Sequence, residues 1–282
     1  MHDRETSPVR YYSFSDLTLK SHIPLDLDLS SRREQDLSVK TGDLPRNLTN
    51  PNISRAIWSA NPSEFLISVP GLGRLLARGG RELILGSHPE PNRKALTRLV
   101  TDFGMGPILS QRGELLFHAS VATVKGKTIL FCGPPASGKT LLCLKISAEH
   151  GEMVADAICR TRIENGNWLI RRFDTRVKAH QDVLDLIGNK DVRQPFPEPQ
   201  EREIDVVVFL QPRNEAEVEL IPLRGRQKVS HLLENITPYS LPQLAPVLRS
   251  LLPLIDALPV FKAVFPFGSK PLETLARKVR RL

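Results

Sequence analysis

The chain has 282 residues, 40% hydrophobic and 25% charged, enough for one large or two modest domains with a real core. The formal charge is +8, yet aromatics are only 6% and no basic run is interleaved with them, so the pattern does not favour nucleic acid. No apolar run is long enough for a membrane-spanning helix, and Met1-His2-Asp3-Arg4-Glu5 leads into no apolar stretch, so neither membrane span nor signal peptide is expected.

In chain order, Tyr11–Leu25 reads as a strand pair. Residues 26–63 are polar and rich in Asp, Ser, Arg, Asn and Pro, and read as a loop or partly disordered segment. Glu64–Val69 and Glu82–Gly86 read as strands, separated by the turn-rich Pro70–Gly80. These features predict a small β-rich N-terminal domain over 1–105 and a second domain over 106–282. Pro91–Phe103 predicts a helix, with Leu96, Leu99, Val100 and Phe103 on one face. Leu115–Val124 and Thr128–Cys132 read as strands joined by a hairpin-like Lys125-Gly126-Lys127. Leu141–Ala148 is apolar on most faces and predicts a buried helix, with Gly151 as its C-terminal cap. Glu152–Ala155 predicts a short strand, and the continuous apolar run Val206–Leu210 a buried central one. Leu241–Leu258 reads as a helical segment interrupted by Pro253. Pro271–Leu282 reads as an amphipathic helix with Leu272, Leu275, Ala276, Val279 and Leu282 on one side. The fold class expected is α/β: a mixed sheet with flanking helices, plus the β-rich N-terminal domain. Cys132, Cys143 and Cys159 form neither a metal-ligand spacing nor a disulfide framework, which suits a reducing, cytoplasmic setting.

Gly133-Pro134-Pro135-Ala136-Ser137-Gly138-Lys139-Thr140 fits G-x-x-x-x-G-K-[ST], the P-loop pattern. Its two glycines permit backbone geometry in which N–H groups point at phosphate oxygens, and the helix that follows adds its N-terminal dipole. Lys139 is expected to reach the β- and γ-phosphates and the Thr140 hydroxyl to bind Mg2+. The motif lies between a predicted strand and a predicted helix, as its mechanism requires. A carboxylate should assist the metal or the nucleophile. Val206–Leu210 is followed by Gln211, whereas Asp156 ends the strand directly after the P-loop helix, so Asp156 is the candidate. His118, in an apolar strand shortly before the P-loop, could orient Asp156 or the acceptor. No L-S-G-G-Q signature is present. Asn189-Lys190-Asp191 is followed by Val192 rather than completing N-K-x-D, so ATP is favoured over GTP.

Leu116-Phe117-His118-Ala119-Ser120-Val121, the strand and P-loop from Ile129 to Thr140, and Glu152-Met153-Val154-Ala155-Asp156 together resemble the C-terminal domain of HPr kinase/phosphorylase. The likeness is greater to the family's shorter relatives, which include kinases tailoring lasso peptides. Its specific part covers roughly residues 114–160. Tyr11–Leu17 and Val69–Arg74 look similar to the β-rich region that precedes the core in those relatives. The resemblance implies transfer of the ATP γ-phosphate to a serine hydroxyl of a peptide or small protein. Lys139 would hold phosphate, Thr140 and Asp156 would bind Mg2+, Asp156 would accept the serine proton, and His118 would support it. A homo-oligomer is an open expectation. Two positions depart from the family pattern: Ala157 stands where a second acid is usual, and Leu141 follows Thr140 where an acid is common. Arg176 and Lys178 are candidate transition-state cations. A nucleotide-binding regulator with weakened or absent catalysis, and a kinase for a small hydroxylated metabolite, remain as alternatives.

Overall fold

The computed structural model describes residues 8–86, 92–148, 151–173, 201–214 and 217–282. They form two compact units: one up to Glu114 that also takes in Pro238–Ala245, and one of Leu115–Thr237 and Pro246–Leu282. The break expected at 105/106 compares with a division after Glu114, because the helix Met105–Gln111 packs on the N-terminal sheet.

The first unit is built on eight strands: β1 (Arg10–Phe14), β2 (Leu17–Ser21), β3 (Leu37–Thr41), β4 (Ile53–Ser54), β5 (Trp58–Ala60), β6 (Glu64–Val69), β7 (Gly73–Arg78) and β8 (Glu82–Leu85). Their order in the sheet is β1-β2-β3-β8-β7-β6-β5-β4. A helical stretch packs on one face: α1 (Arg93–Arg98), a π-helical segment (Leu99–Gly104) and α2 (Met105–Gln111). Gly104 lies so close to this face that a Cβ there would come within 2.9 Å of Leu83. On the opposite face Leu44 and Leu48 pack over Leu66, Leu76 and Ile84. Three strands, β3, β4 and β5, thus lie in the segment expected to be loop. β3 carries only Leu37 and Val39 as buried apolar residues, and its order comes from parallel pairing with β2 and β8. The turn-rich Pro70–Gly80 likewise contains β7, because its turn residues serve only the tight β6–β7 hairpin.

The second unit holds a six-stranded mixed sheet and a four-stranded antiparallel one, the latter not foreseen. The strands are β9 (Leu115–Phe117), β10 (Ala119–Val124), β11 (Lys127–Cys132), β12 (Gly151–Ala155), β13 (Cys159–Glu164), β14 (Asn167–Arg172), β15 (Arg202–Glu203), β16 (Val206–Pro212), β17 (Glu219–Pro222) and β18 (Val260–Phe265). The mixed sheet runs β12-β10-β11-β16-β18-β17 and the antiparallel sheet β15-β14-β13-β9. β11, β16 and β18 are parallel neighbours, so the apolar run at 206–210 is central, as its composition suggests. The β10–β11 turn has Lys125 at φ 50° and Gly126 at φ 80°, the left-handed pair that matches strand twist in a two-residue hairpin.

The described helices of this unit are α3 (Lys139–Ser147), α4 (Arg226–Leu233), α5 (Leu244–Ala257, beginning in the first unit) and α6 (Ser269–Val279). α3 and α6 cover the mixed sheet, where Leu142, Leu144, Ile146, Leu272, Leu275 and Val279 join Phe131 and Val208 in one core. Gly151 opens β12 instead of capping α3, whose C-cap is Ala148. A Cβ at Gly151 would sit 2.8 Å from the Thr123 carbonyl, so close packing is what requires glycine there. Pro253 does not interrupt α5. It is exposed, its neighbours Leu251 and Ile255 are buried, and the carbonyl it leaves unbonded belongs to exposed Arg249. Among the described residues no helix is long and apolar enough to cross a membrane.

Candidate functional site

The predicted strand Leu115–Val124 is in fact two strands, and His118 is the break between them. β9 pairs with β13 through Phe117 and Cys159, whereas β10 pairs with β11 and β12. The companion break lies at Asp156-Ala157-Ile158, between β12 and β13. The chain therefore passes between the two sheets at two adjacent places, each flanked by paired strands. This is why His118 is exposed between fully buried neighbours. At the second junction the Ile158 N–H donates to the Asp156 carbonyl at 2.8 Å, and Ala157 adopts φ 63°. That left-handed conformation is uncommon for alanine and is more readily adopted by Asn, Asp or Gly.

The loop Gly133–Thr140 joins β11 to α3. Gly133 has φ 147° and Gly138, the N-cap of α3, has φ 87°. A Cβ on Gly133 would lie 2.7 Å from the Leu210 carbonyl oxygen, so the loop approaches β16 closer than any side chain allows. Ala136 also has positive φ, at 61°, and the Ser137 N–H closes the turn onto the Pro134 carbonyl at 3.2 Å. The Lys139 ammonium folds back over the loop, donating to the carbonyls of Gly133 at 2.8 Å and Pro134 at 2.9 Å. Burial holds its pKa below the ordinary lysine value, against an opposing pull from the Asp156 carboxylate.

Asp156 is 6% exposed, and its Oδ1 accepts from the hydroxyls of Thr140 at 2.8 Å and Ser120 at 2.7 Å. Its Oδ2 is buried and has no hydrogen-bond partner among the described residues. A buried carboxylate oxygen left unmatched is costly, which marks it as a group poised for a cation or a donor. No cluster of three or more His, Cys, Asp or Glu that could hold a metal exists among the described residues. The donor set of one carboxylate and one hydroxyl suits Mg2+, which commonly takes few protein ligands and completes its shell with phosphate and water.

His118, Lys139, Thr140, Gly133, Pro134, Pro135 and Ala157 line one cavity of about 730 Å³, with Phe209, Leu210, Gln211, His231, Glu234, Asn235 and Lys262 forming the rest. Asp156 sits behind the wall, reached through Thr140. Although His118 reaches solvent, partial desolvation at the cavity wall lowers its pKa, an effect opposed by a hydrogen bond to the Ala157 backbone and reinforced by the charge of Lys139. The shift favours the neutral imidazole. Arg176 and Lys178 lie outside the described residues.

Asn235 was not singled out by the sequence. Its Oδ1 accepts from the Gly133 N–H at 2.7 Å, its Nδ2 donates to the His231 carbonyl at 2.7 Å, and its own carbonyl accepts from the His118 N–H at 2.8 Å. One residue thus ties the loop, through its side chain, to the β9–β10 break, through its backbone carbonyl. The sequence offered little signal, since Asn235 stands beside Glu234 in Leu232-Leu233-Glu234-Asn235-Ile236.

No family model matches the chain, and no curated protein matches it. Among solved structures it is similar to the HPr(Ser) kinase/phosphatase from Coxiella burnetii, at 17% identity and a TM-score of 0.32, covering 59% of this chain and 96% of that one. That likeness is distant, and the chemistry of the cavity is read from its own residues.

The arrangement brings together a loop that presents backbone N–H groups at a helix N-terminus, an ammonium, a hydroxyl backed by a carboxylate, and a neutral imidazole. Such a set can bind a polyphosphate and take a proton from an acceptor hydroxyl. Phe209 and His231, with ring centroids 5.3 Å apart and planes tilted by 55°, add two unsaturated rings to the cavity wall.

Proposed function

We propose that the chain binds ATP with Mg2+ and transfers the γ-phosphate to a serine hydroxyl of a peptide or small protein. The observation that carries this reading is the Thr140–Asp156 hydrogen bond, which couples the P-loop hydroxyl to a strand-end carboxylate with a free buried oxygen. In P-loop enzymes a Ser or Thr and a strand-end Asp hold the magnesium. Here Thr140 and Asp156 would hold it, and the ion would neutralise charge on the phosphates. Lys139 leaves its loop carbonyls to bind phosphate. Asp156 serves as the metal partner and the ultimate proton acceptor. His118, on the cavity wall and neutral, is placed to take the serine proton directly or to pass it on. Loss of charge assistance at Ala157 supports a second reading, a nucleotide-binding regulator whose transfer activity is weak.

Labelled ATP, Mg2+ and peptides encoded by neighbouring genes provide the test. Transfer that is abolished in Asp156→Asn, with ATP still bound, supports the kinase. Binding without transfer to any candidate leaves the regulator. In Lys139→Ala, loss of charge-assisted hydrogen bonds to phosphate should weaken ATP by about 10- to 100-fold. Unchanged affinity would defeat both readings.

A further inference from the structure

The first unit carries a second cavity, of about 410 Å³, lined by Arg46, Arg55 and Arg74 and by no Asp or Glu. None of the three guanidiniums has a carboxylate partner among the described residues. Three like charges around one concavity repel each other unless an anion enters.

Two of the three arginines are also partly fixed. Arg74 Nη2 donates to the carbonyls of Pro45 at 2.6 Å and Arg46 at 3.1 Å, and Arg55 Nη1 donates to that of Ser54 at 3.0 Å. Each guanidinium has five N–H donors, so these bonds hold the fork while leaving most of it for a ligand. Sheet register explains the rest of the wall. Ser68 on β6 lies opposite Arg74 on β7, and Ser59 on β5 lies opposite Leu66 on β6, so two hydroxyls and an arginine share the face that Leu48 covers. Asn47 and Ser54 add further polar groups, and Ile57, 47% exposed, adds an apolar rim. The volume lies within the ordinary range for small-molecule sites.

We propose that this cavity binds a ligand carrying two or more clustered oxyanion groups, supplied either by a free metabolite-sized polyanion or by the acidic side chains of a peptide. The site is distinct from the P-loop cavity and does not depend on the kinase reading.

The test uses the full chain and two probes, citrate and an end-capped tetraglutamate peptide, with binding followed by calorimetry. Saturable binding of either is expected, and the tighter of the two identifies the source. Arg46→Gln/Arg55→Gln should weaken it by about tenfold or more, the worth of a lost charge-assisted bond. Arg46 and Arg55 are exposed, so this variant should keep the wild-type thermal midpoint. Arg55→Lys, which keeps the charge but not the fork, should fall between. Lys139→Ala should bind as the wild type does. Absence of saturable binding of both probes would overturn the proposal. So would binding that survives Arg46→Gln/Arg55→Gln, or that disappears in Lys139→Ala alone.

Discussion

Single side chains decide the P-loop site. Asn235 Oδ1 is the partner of the buried Gly133 N–H, so Asn235→Ala leaves that donor unmatched. Equilibrium denaturation should show a loss of about 1–3 kcal/mol. Asn235→Asp, which keeps the acceptor, should lose less. His118 sets a pH limit. Its pKa is lowered below 6.5 by burial, so the neutral form persists down to that lowered value and protonation is confined to more acidic solution. If its imidazole takes the serine proton, the rate should be flat above pH 6.5 and fall as pH drops through the lowered pKa. His118→Gln should remove that acid limb of the pH–rate profile. At this scale the sequence was readable where a motif carries its own local geometry: the spacing of Gly133, Gly138, Lys139 and Thr140 predicts a strand–loop–helix, and β11 and α3 flank that loop, with Gly133 and Gly138 at positive φ. Asn235 was not readable, because its role depends on a hydrogen bond to a residue about a hundred positions away.

Elements were legible when their order came from local pattern and obscure when it came from distant pairing. Helix α6 (Ser269–Val279), expected at 271–282, reveals itself by its apolar stripe, and β16 (Val206–Pro212), expected at 206–210, by an unbroken apolar run. β3 has two apolar residues in five and becomes a strand through β2 and β8, so no local window exposes it. The division of 115–124 into two strands likewise follows from which partners lie on each side of His118. Helix α5 shows how one residue can finish an element. Lys228, on α4, donates through Nζ to the carbonyls of Ile255 at 3.1 Å, Asp256 at 2.6 Å and Leu258 at 2.8 Å, at and just past the helix end. Terminal carbonyls need such partners, and a cation also suits the helix dipole. Lys228→Met keeps the aliphatic bulk and removes all three bonds. It should destabilise the protein by about 1–3 kcal/mol in denaturant titration, and protease cutting should increase near residue 258.

The whole molecule distributes its reporters unevenly. All three cysteines are buried and free, and all three fall in the P-loop unit. Burial pushes the Cys132 thiol up to about 12 and holds Cys143 and Cys159 well above their ordinary value, so native protein should resist thiol reagents at pH 8. Labelling then measures opening of that unit. With ATP at about 100 times its Kd, opening should cost about 2.7 kcal/mol more and labelling should slow by about 100-fold. An unchanged rate would count against nucleotide binding there. The first unit has a different peculiarity: it is assembled from two separated stretches of chain. Tyr239, in the second stretch, meets Phe65 edge-on at 5.6 Å and donates to the Asp102 carbonyl at 3.1 Å. It also lies against Gly106, where a Cβ would come within 2.5 Å of the ring. A gene fragment ending after codon 114 would therefore encode this unit without its tyrosine wedge. No single cut in the chain separates the two units without dividing one of them.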